Sequence, residues 1–150
     1  MKPFYIFLDI DGVLAPNYCS ERENHEIFSY KWDEECVRVL NKFLRFTEAK
    51  IILSSDWRLM YSNDIKMIDH LFKYNNVISS PIDVTPSFGR NHREIEIDTY
   101  IKDNNISNFT ILDDEKLTIY PDRFLLCDPE VGIKHSYDRL LKFFGQKGGA

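Results

Sequence analysis

The sequence predicts a doubly wound α/β domain built on a parallel sheet. Short, continuous apolar runs alternate along the 150 residues with longer segments whose apolar positions recur at helical spacing. Continuous apolar runs are typical of strands buried on both faces, which occur mainly in parallel sheets covered by helices. The length suits one domain, and no linker or internal repeat divides it. We predict a single domain over residues 1–144 and a flexible, glycine-rich tail over residues 145–150.

The first half of the chain is predicted to hold two strands and two helices. Tyr5–Leu8 and Lys50–Ser54 are the apolar runs that predict strands, and the polar, irregular segment Ala15–Lys31 predicts a loop. Asp33 is placed to cap the first helix. The apolar positions of that helix are Cys36, Val37, Leu40, Phe43 and Leu44. The second helix is predicted from about Asn63 to Phe72, with inward positions Ile65, Ile68, Leu71 and Phe72.

The second half continues the alternation. Val77 and Ile78 predict a short strand, and Ser79–His92 predicts a loop because it contains two prolines and a glycine. Two further strands are predicted at Phe109–Leu112 and Phe124–Cys127. A third helix has its apolar face at Ile97, Tyr100 and Ile101. The last helix has apolar residues at i, i+3, i+4 and i+7, which are Tyr137, Leu140, Leu141 and Phe144.

Oxygen-bearing side chains follow three of the predicted strands. They are Asp9 and Asp11, Ser54 and Ser55, and Asp113 and Asp114. Ligands of doubly wound sheets bind beyond the carboxyl ends of the strands, where all six residues are expected to meet. This convergence predicts a binding site at that edge of the sheet.

The two aspartates after the first strand predict a metal site. Residues i and i+2 of an extended chain point the same way, so Asp9 and Asp11 would lie side by side. Like charges held together are unfavourable without a cation or a proton, and Mg²⁺ prefers carboxylate ligands. A carboxylate in such a site can attack phosphorus, and a second carboxyl can act as acid and base. Gly12 permits a sharp turn that brings backbone N–H groups toward phosphoryl oxygens.

The same motifs resemble those of the haloacid dehalogenase-like (HAD) hydrolase superfamily. The matching segments are Asp9–Val13 (DIDGV), Ile51–Ser55 (IILSS) and Ile111–Asp114 (ILDD). The segments ILSSDWR, REIEIDTYI, ILDDE and CDPEVGI further resemble a small HAD group associated with RNA repair proteins. The resemblance implies a three-layer α/β/α sandwich with a central parallel, Rossmann-like sheet.

The resemblance also implies roles for the acids and for magnesium. Asp9 is expected to be the nucleophile and a Mg²⁺ ligand, and Asp11 to be the acid/base, with its backbone carbonyl on the metal. Asp113 or Asp114 is expected to bind Mg²⁺, directly or through water.

Two further residues are expected to contact the phosphoryl group. Ser55 is favoured over Ser54, because Trp57-Arg58 follows Ser55 at the interval seen in the narrower group. Arg93 is expected to replace the usual Lys of the superfamily. Arg90 and Lys102 are the alternatives for that cation.

Three other expectations concern the surroundings of the site. Larger relatives carry cap domains in the gaps Leu14–Asp33 and Trp57–Arg93. Here the first gap offers only a loop and the second is mostly needed for a helix and its connection, so the domain is expected to be capless or minimally capped. Trp57 is expected to pack the turn structurally. Arg58 is expected either to contact phosphate or to pair with an acid.

Composition narrows the class of protein. The net charge of −5 argues against a broad basic surface for nucleic acid, although a local basic patch stays open. Three well-separated cysteines and the lack of any apolar run near about 18 residues favour a soluble, cytoplasmic protein without membrane contact. No obligate protein partner is expected.

The combined prediction is a magnesium-dependent phosphomonoesterase that forms an aspartyl-phosphate. Nucleic-acid terminal phosphates are one candidate substrate. The alternatives are a phosphatase of small nucleotides or sugar phosphates, and a non-catalytic HAD-like module that binds a partner.

Overall fold

Five parallel strands form one sheet in the computed structural model, which describes residues 2–21 and 31–144. The strands are β1 (Tyr5–Leu8), β2 (Lys50–Leu53), β3 (Asp83–Val84), β4 (Phe109–Asp113) and β5 (Phe124–Leu126). Their order across the sheet is β3-β2-β1-β4-β5. The α-helices are α1 (Glu34–Thr47), α2 (Trp57–Met60), α3 (Ile65–Tyr74), α4 (Arg93–Asp103) and α5 (Tyr137–Phe144). Short 3₁₀ helices span Asn17–Glu21 and Pro121–Arg123.

Alternate residues of the central strands face two separate apolar layers. Phe7 and Ile52 belong to the layer that also contains Ile97 and Ile101 of α4. Their sequence neighbours in β1 and β2 belong to the other layer, where α1, α3 and α5 pack. Because side chains of a strand alternate between faces, each central strand is buried on both sides. This confirms the predicted three-layer α/β/α architecture.

The first helix begins where its cap was predicted. The Asp33 carboxylate accepts a hydrogen bond from the backbone N–H of Cys36 at 3.0 Å, which satisfies one of the free donors of the first turn. Glu48 ends the helix in the left-handed conformation, with φ of 55°. The predicted apolar positions of α1 are all buried.

Two details of the element prediction were wrong. The strand predicted at Val77 and Ile78 is absent from the described structure, and β3 lies instead at Asp83–Val84, within the predicted loop. Val77 packs into the core, whereas Ile78 is exposed. Asp83 aligns with Ile52 of β2, so this two-residue strand is defined by pairing rather than by an apolar pattern.

The predicted second helix corresponds to α3, which starts at Ile65 after a cap by Asp64. A further single turn, α2, was not predicted and begins at Trp57, two residues after Ser55. Ile65 was expected to face the core but is exposed, because it is the first residue of the helix. All of Trp57–Arg93 is described and contributes to the sandwich, so no cap domain occupies that gap.

Residues 22–30 of the predicted loop and the predicted tail, residues 145–150, lie outside the described residues. Among the helices that are described, none is long and apolar enough to cross a membrane.

Candidate active site

The predicted site residues lie at the carboxyl edge of three adjacent strands. Leu8 of β1 is aligned with Leu53 on one side and with Leu112 on the other. The next residues, Asp9, Ser54 and Asp113, therefore lie at the same level at the carboxyl edge of the sheet. In the sheet, β2 and β4 lie on opposite sides of β1, so the strand order reverses direction at β1. The carboxyl end of β1 is therefore the topological switch point, where ligands of such sheets bind.

Three carboxylates converge there. Asp9, Asp113 and Asp114 each offer a ligand atom within 4.8 Å of the other two. Asp113 is fully buried and Asp9 nearly so. Backbone donors hold two of them, since Ile10 N–H bonds Asp9 Oδ1 at 2.9 Å and Glu115 N–H bonds Asp113 Oδ1 at 2.9 Å. Backbone N–H groups therefore fix the orientation of two of the three carboxylates.

Arg93 supplies a cation to this cluster. Its guanidinium donates to Asp113 Oδ2 at 2.6 Å and lies 3.7 Å from Asp9 Oδ2. A second nitrogen lies 3.6 Å from Asp56 Oδ1, at the solvent side. The Arg93 side chain is only 11% exposed. Arg93 is the first residue of α4, so its side chain reaches the edge of the sheet from the layer that contains Ile97 and Ile101.

Crowding of the carboxylates changes their proton affinities. Burial, reinforced by the charge of Asp113, raises the pKa of Asp9 well above the ordinary aspartate value, and Arg93 only partly offsets this. Burial likewise raises the pKa of Asp114. When both are charged, two carboxylates whose oxygens lie within 4.8 Å repel by at least about 3 kcal/mol at an effective dielectric constant of about 20. A divalent cation among them would remove this penalty.

Asp11 lies outside the three-carboxylate cluster and is exposed to solvent. Partial desolvation raises its pKa, and a hydrogen bond from the Trp57 indole acts in the opposite direction. Trp57 is buried and packs edge-on against Trp32, with ring centroids 6.3 Å apart. The structural role expected of Trp57 is present, and the same residue also orients Asp11. Nothing in the motif spacing indicated that contact.

Gly12 makes the turn that follows Asp11 possible. Its φ is +77°, and a Cβ at this position would lie 2.6 Å from Asp114 Cγ. The turn is closed by hydrogen bonds from the backbone N–H groups of Val13, Leu14 and Ala15 to the carbonyl of Ile10. Glycine is therefore required both by the backbone conformation and by the neighbouring carboxylate.

The two serines after β2 differ in their hydrogen bonds. Both are fully buried. Ser55 Oγ accepts from the backbone N–H of Trp57 at 3.2 Å, and its own O–H has no acceptor among the described residues. Ser54 Oγ has no hydrogen-bond partner in the part of the chain that is described. The preference for Ser55 over Ser54 as the phosphate contact stays a prediction.

Arg58 pairs with an acid, which was one of its two expected roles. It is fully buried and bonds Glu96 Oε1 at 3.0 Å. Its other donors bond the carbonyls of Ser54, Ser55, Thr85 and Pro86. Glu96 also accepts the N–H of Phe88 at 2.7 Å. This network joins the end of β2 to α4, one turn after Arg93, and it was missed because the partners are distant in sequence.

The structure separates the three candidate cations. Arg93 lies against the carboxylates, whereas Lys102 is exposed and pairs with Asp98 at 2.8 Å. Arg90 is exposed on the loop before α4. Of the predicted metal ligands, Asp9, Asp113 and Asp114 are brought together, and the side chain of Asp11 is not among them.

Comparison with known proteins gives one family. Residues 5–137 match the sequence family described as the HAD domain in Swiss Army Knife RNA repair proteins. Searches of curated proteins and of solved structures give no match.

Proposed function

The chain belongs to the family of HAD domains in Swiss Army Knife RNA repair proteins, and we propose that it is a magnesium-dependent phosphomonoesterase acting on terminal phosphates of RNA. One observation carries the proposal. Three carboxyl ligand atoms lie within 4.8 Å of one another at the edge of the sheet, with Arg93 bonded to one of them. The RNA substrate is suggested by the family description.

The donor set fits magnesium. Carboxylate oxygens are the ligands that this hard cation prefers, and Asp114 is half-buried, so that the cluster is not closed off from solvent. Three carboxylates and one guanidinium carry a formal charge of −2, which a divalent ion would balance. Asp9, Asp113 and Asp114 would hold the ion, which would neutralise charge on the phosphoryl oxygens when bound.

In the proposed two-step reaction, Asp9 acts as the nucleophile and Asp11 as the acid and base. Asp9 attacks phosphorus, the bond from phosphorus to the leaving oxygen breaks, and Asp11 gives its proton to that oxygen. Asp11, now a carboxylate, takes a proton from water, which attacks the aspartyl-phosphate and releases phosphate. The raised pKa of Asp11 favours the protonated form that the first step needs. Arg93 and Ser55 are proposed to hold the other phosphoryl oxygens, since a guanidinium fork suits phosphate.

The test is hydrolysis of p-nitrophenyl phosphate and of RNA oligonucleotides phosphorylated at the 3′ or 5′ end, with and without Mg²⁺. Asp9→Asn should abolish turnover, and Asp103→Asn, which changes an exposed acid at the end of α4, should not. Preference for sugar phosphates or free nucleotides over oligonucleotides would favour the small-molecule alternative. Folded protein that binds Mg²⁺ but hydrolyses none of these substrates would favour the non-catalytic module.

A further inference from the structure

A cleft of about 300 Å³ is lined in part by Arg93, which also contacts the carboxylate cluster. The loop at residues 89–92 contributes to its lining, as do Asp56 and Glu115. Every described side chain that lines it is polar or charged, apart from Gly89. Its volume is at the lower end of small-molecule sites. A leaving group that occupies it would therefore be polar and about as large as one nucleotide.

Arg90 lines this cleft and is available to a ligand. Its side chain makes no hydrogen bond or ion pair with any residue that the structure describes, and it is exposed. Two of the acids in the cleft already have partners. Asp56 lies 3.6 Å from Arg93 and 3.7 Å from Arg58, and Glu96 is bonded to Arg58. Glu115, the remaining acid of the cleft, is influenced by the charge of Arg93, and no ion pair within the described residues joins any of these acids to Arg90.

We propose that Arg90 is a specificity residue that binds a second phosphate of the substrate while Arg93 faces the reacting one. The inference rests on the proposed phosphatase function. Both guanidinium groups line one cleft, and a planar guanidinium binds phosphate oxygens in pairs. The cleft therefore selects a phosphomonoester whose leaving group carries another phosphate within about one nucleotide. A sugar monophosphate would leave Arg90 unused.

The second phosphate can be the diester of an RNA end or the monoester of a nucleoside bisphosphate. Kinetics with four substrates separate these sources: p-nitrophenyl phosphate, a nucleoside monophosphate, the matching nucleoside 3′,5′-bisphosphate, and a dinucleotide with a terminal phosphate. Arg90→Ala should lower kcat/KM about tenfold for each substrate with a second phosphate, the effect of one charge-assisted contact. The other two substrates should change less than twofold. A loss confined to the dinucleotide identifies the diester, and a loss confined to the bisphosphate identifies the monoester.

Arg38→Ala is the matched control, because Arg38 is an exposed arginine of α1 that pairs with Glu35. It should leave all four rates unchanged. Arg90→Glu should exceed Arg90→Ala in its effect, and added salt should reduce the difference between wild type and Arg90→Ala. An equal loss for all four substrates, or no loss for any, would overturn the proposal.

A binding experiment separates this proposal from the function on which it rests. Calorimetry on Asp9→Asn protein requires no turnover and compares binding of the bisphosphate with binding of the monophosphate. The same two ligands are then measured with the double variant Asp9→Asn, Arg90→Ala. Tighter binding of the bisphosphate that Arg90→Ala removes would support the second-phosphate site, even if wild type hydrolyses nothing and the phosphatase proposal fails. Equal binding of both ligands with Arg90 present would overturn the site, even if p-nitrophenyl phosphate is hydrolysed.

Discussion

The buried pair of Arg58 and Glu96 allows a quantitative test of how the site is held together. Arg58→Met removes all five hydrogen bonds of the guanidinium and leaves Glu96, which is 3% exposed, with the Phe88 N–H as its remaining partner. Removing one partner of a buried ion pair costs about 3–5 kcal/mol. Since a domain is stable by about 5–15 kcal/mol, the variant should lose a large part of its stability.

Urea denaturation followed by circular dichroism measures this loss. For a chain of this size, about 4 kcal/mol corresponds to a fall in Tm of about 8–16 °C. The double variant Arg58→Met, Glu96→Met should recover at least about 1 kcal/mol relative to Arg58→Met, because it removes the stranded carboxylate as well.

Arg38→Met is the matched control for burial. The Arg38–Glu35 ion pair is shorter, at 2.6 Å against 3.0 Å, but its side chains are 69% and 57% exposed. Exposed pairs contribute about 0–1 kcal/mol, so Arg38→Met should change stability by less than 1 kcal/mol. A similar small loss for Arg58→Met, or a double variant no more stable than the single one, would refute the reasoning that burial makes this pair important.

Four further predictions concern the carboxylate edge. Because the pKa of Asp9 is raised in the folded protein, the favourable contribution of its protonated form to the free energy of unfolding is complete in acid and is lost as the pH rises through the raised pKa. Without Mg²⁺, Asp9→Asn should therefore be more stable than wild type at neutral pH. Its free energy of unfolding should also depend less on pH. Added Mg²⁺ should raise the Tm of wild type more than that of Asp9→Asn, and equal shifts would argue against a metal at the cluster. Gly12→Ala should weaken Mg²⁺ binding, because its Cβ would displace a neighbouring carboxylate; Gly89→Ala, also at positive φ but with its nearest contact at 3.9 Å, should cost stability alone, as Mg²⁺ titrations of both variants would reveal. Ser55→Ala should lower kcat/KM for p-nitrophenyl phosphate at least tenfold, whereas Ser54→Ala, which removes a buried hydroxyl without a partner in the described chain, should keep activity and leave stability unchanged or slightly higher in urea denaturation. The opposite pattern would reassign the phosphate contact to Ser54.

Much of the fold was predictable because its central strands carry local signals. β1, β2 and β4 are continuous apolar runs, and burial on both faces of a parallel sheet imposes that pattern. The acids and serines follow these runs directly, and the ends of parallel strands share one edge of the sheet, so their position at that edge could be predicted. β3 escaped prediction because Asp83 and Val84 carry no such pattern and pair only with β2. Its formation depends on a neighbour that is distant in sequence.

The class of fold, the edge of the sheet that carries the site, and three of its acids, Asp9, Asp113 and Asp114, can be predicted from the sequence, because they depend on local periodicity and on residues next to strand ends. The separation of Asp11 from these acids, the choice of Arg93 among three candidate cations, and the buried ion pair behind it emerge only from the packing of the elements. Arg93 lies 20 residues from Asp113, and Arg58 lies 38 residues from Glu96. Contacts of this kind arise when separate elements pack against the sheet, and the spacing of residues along the chain does not encode them.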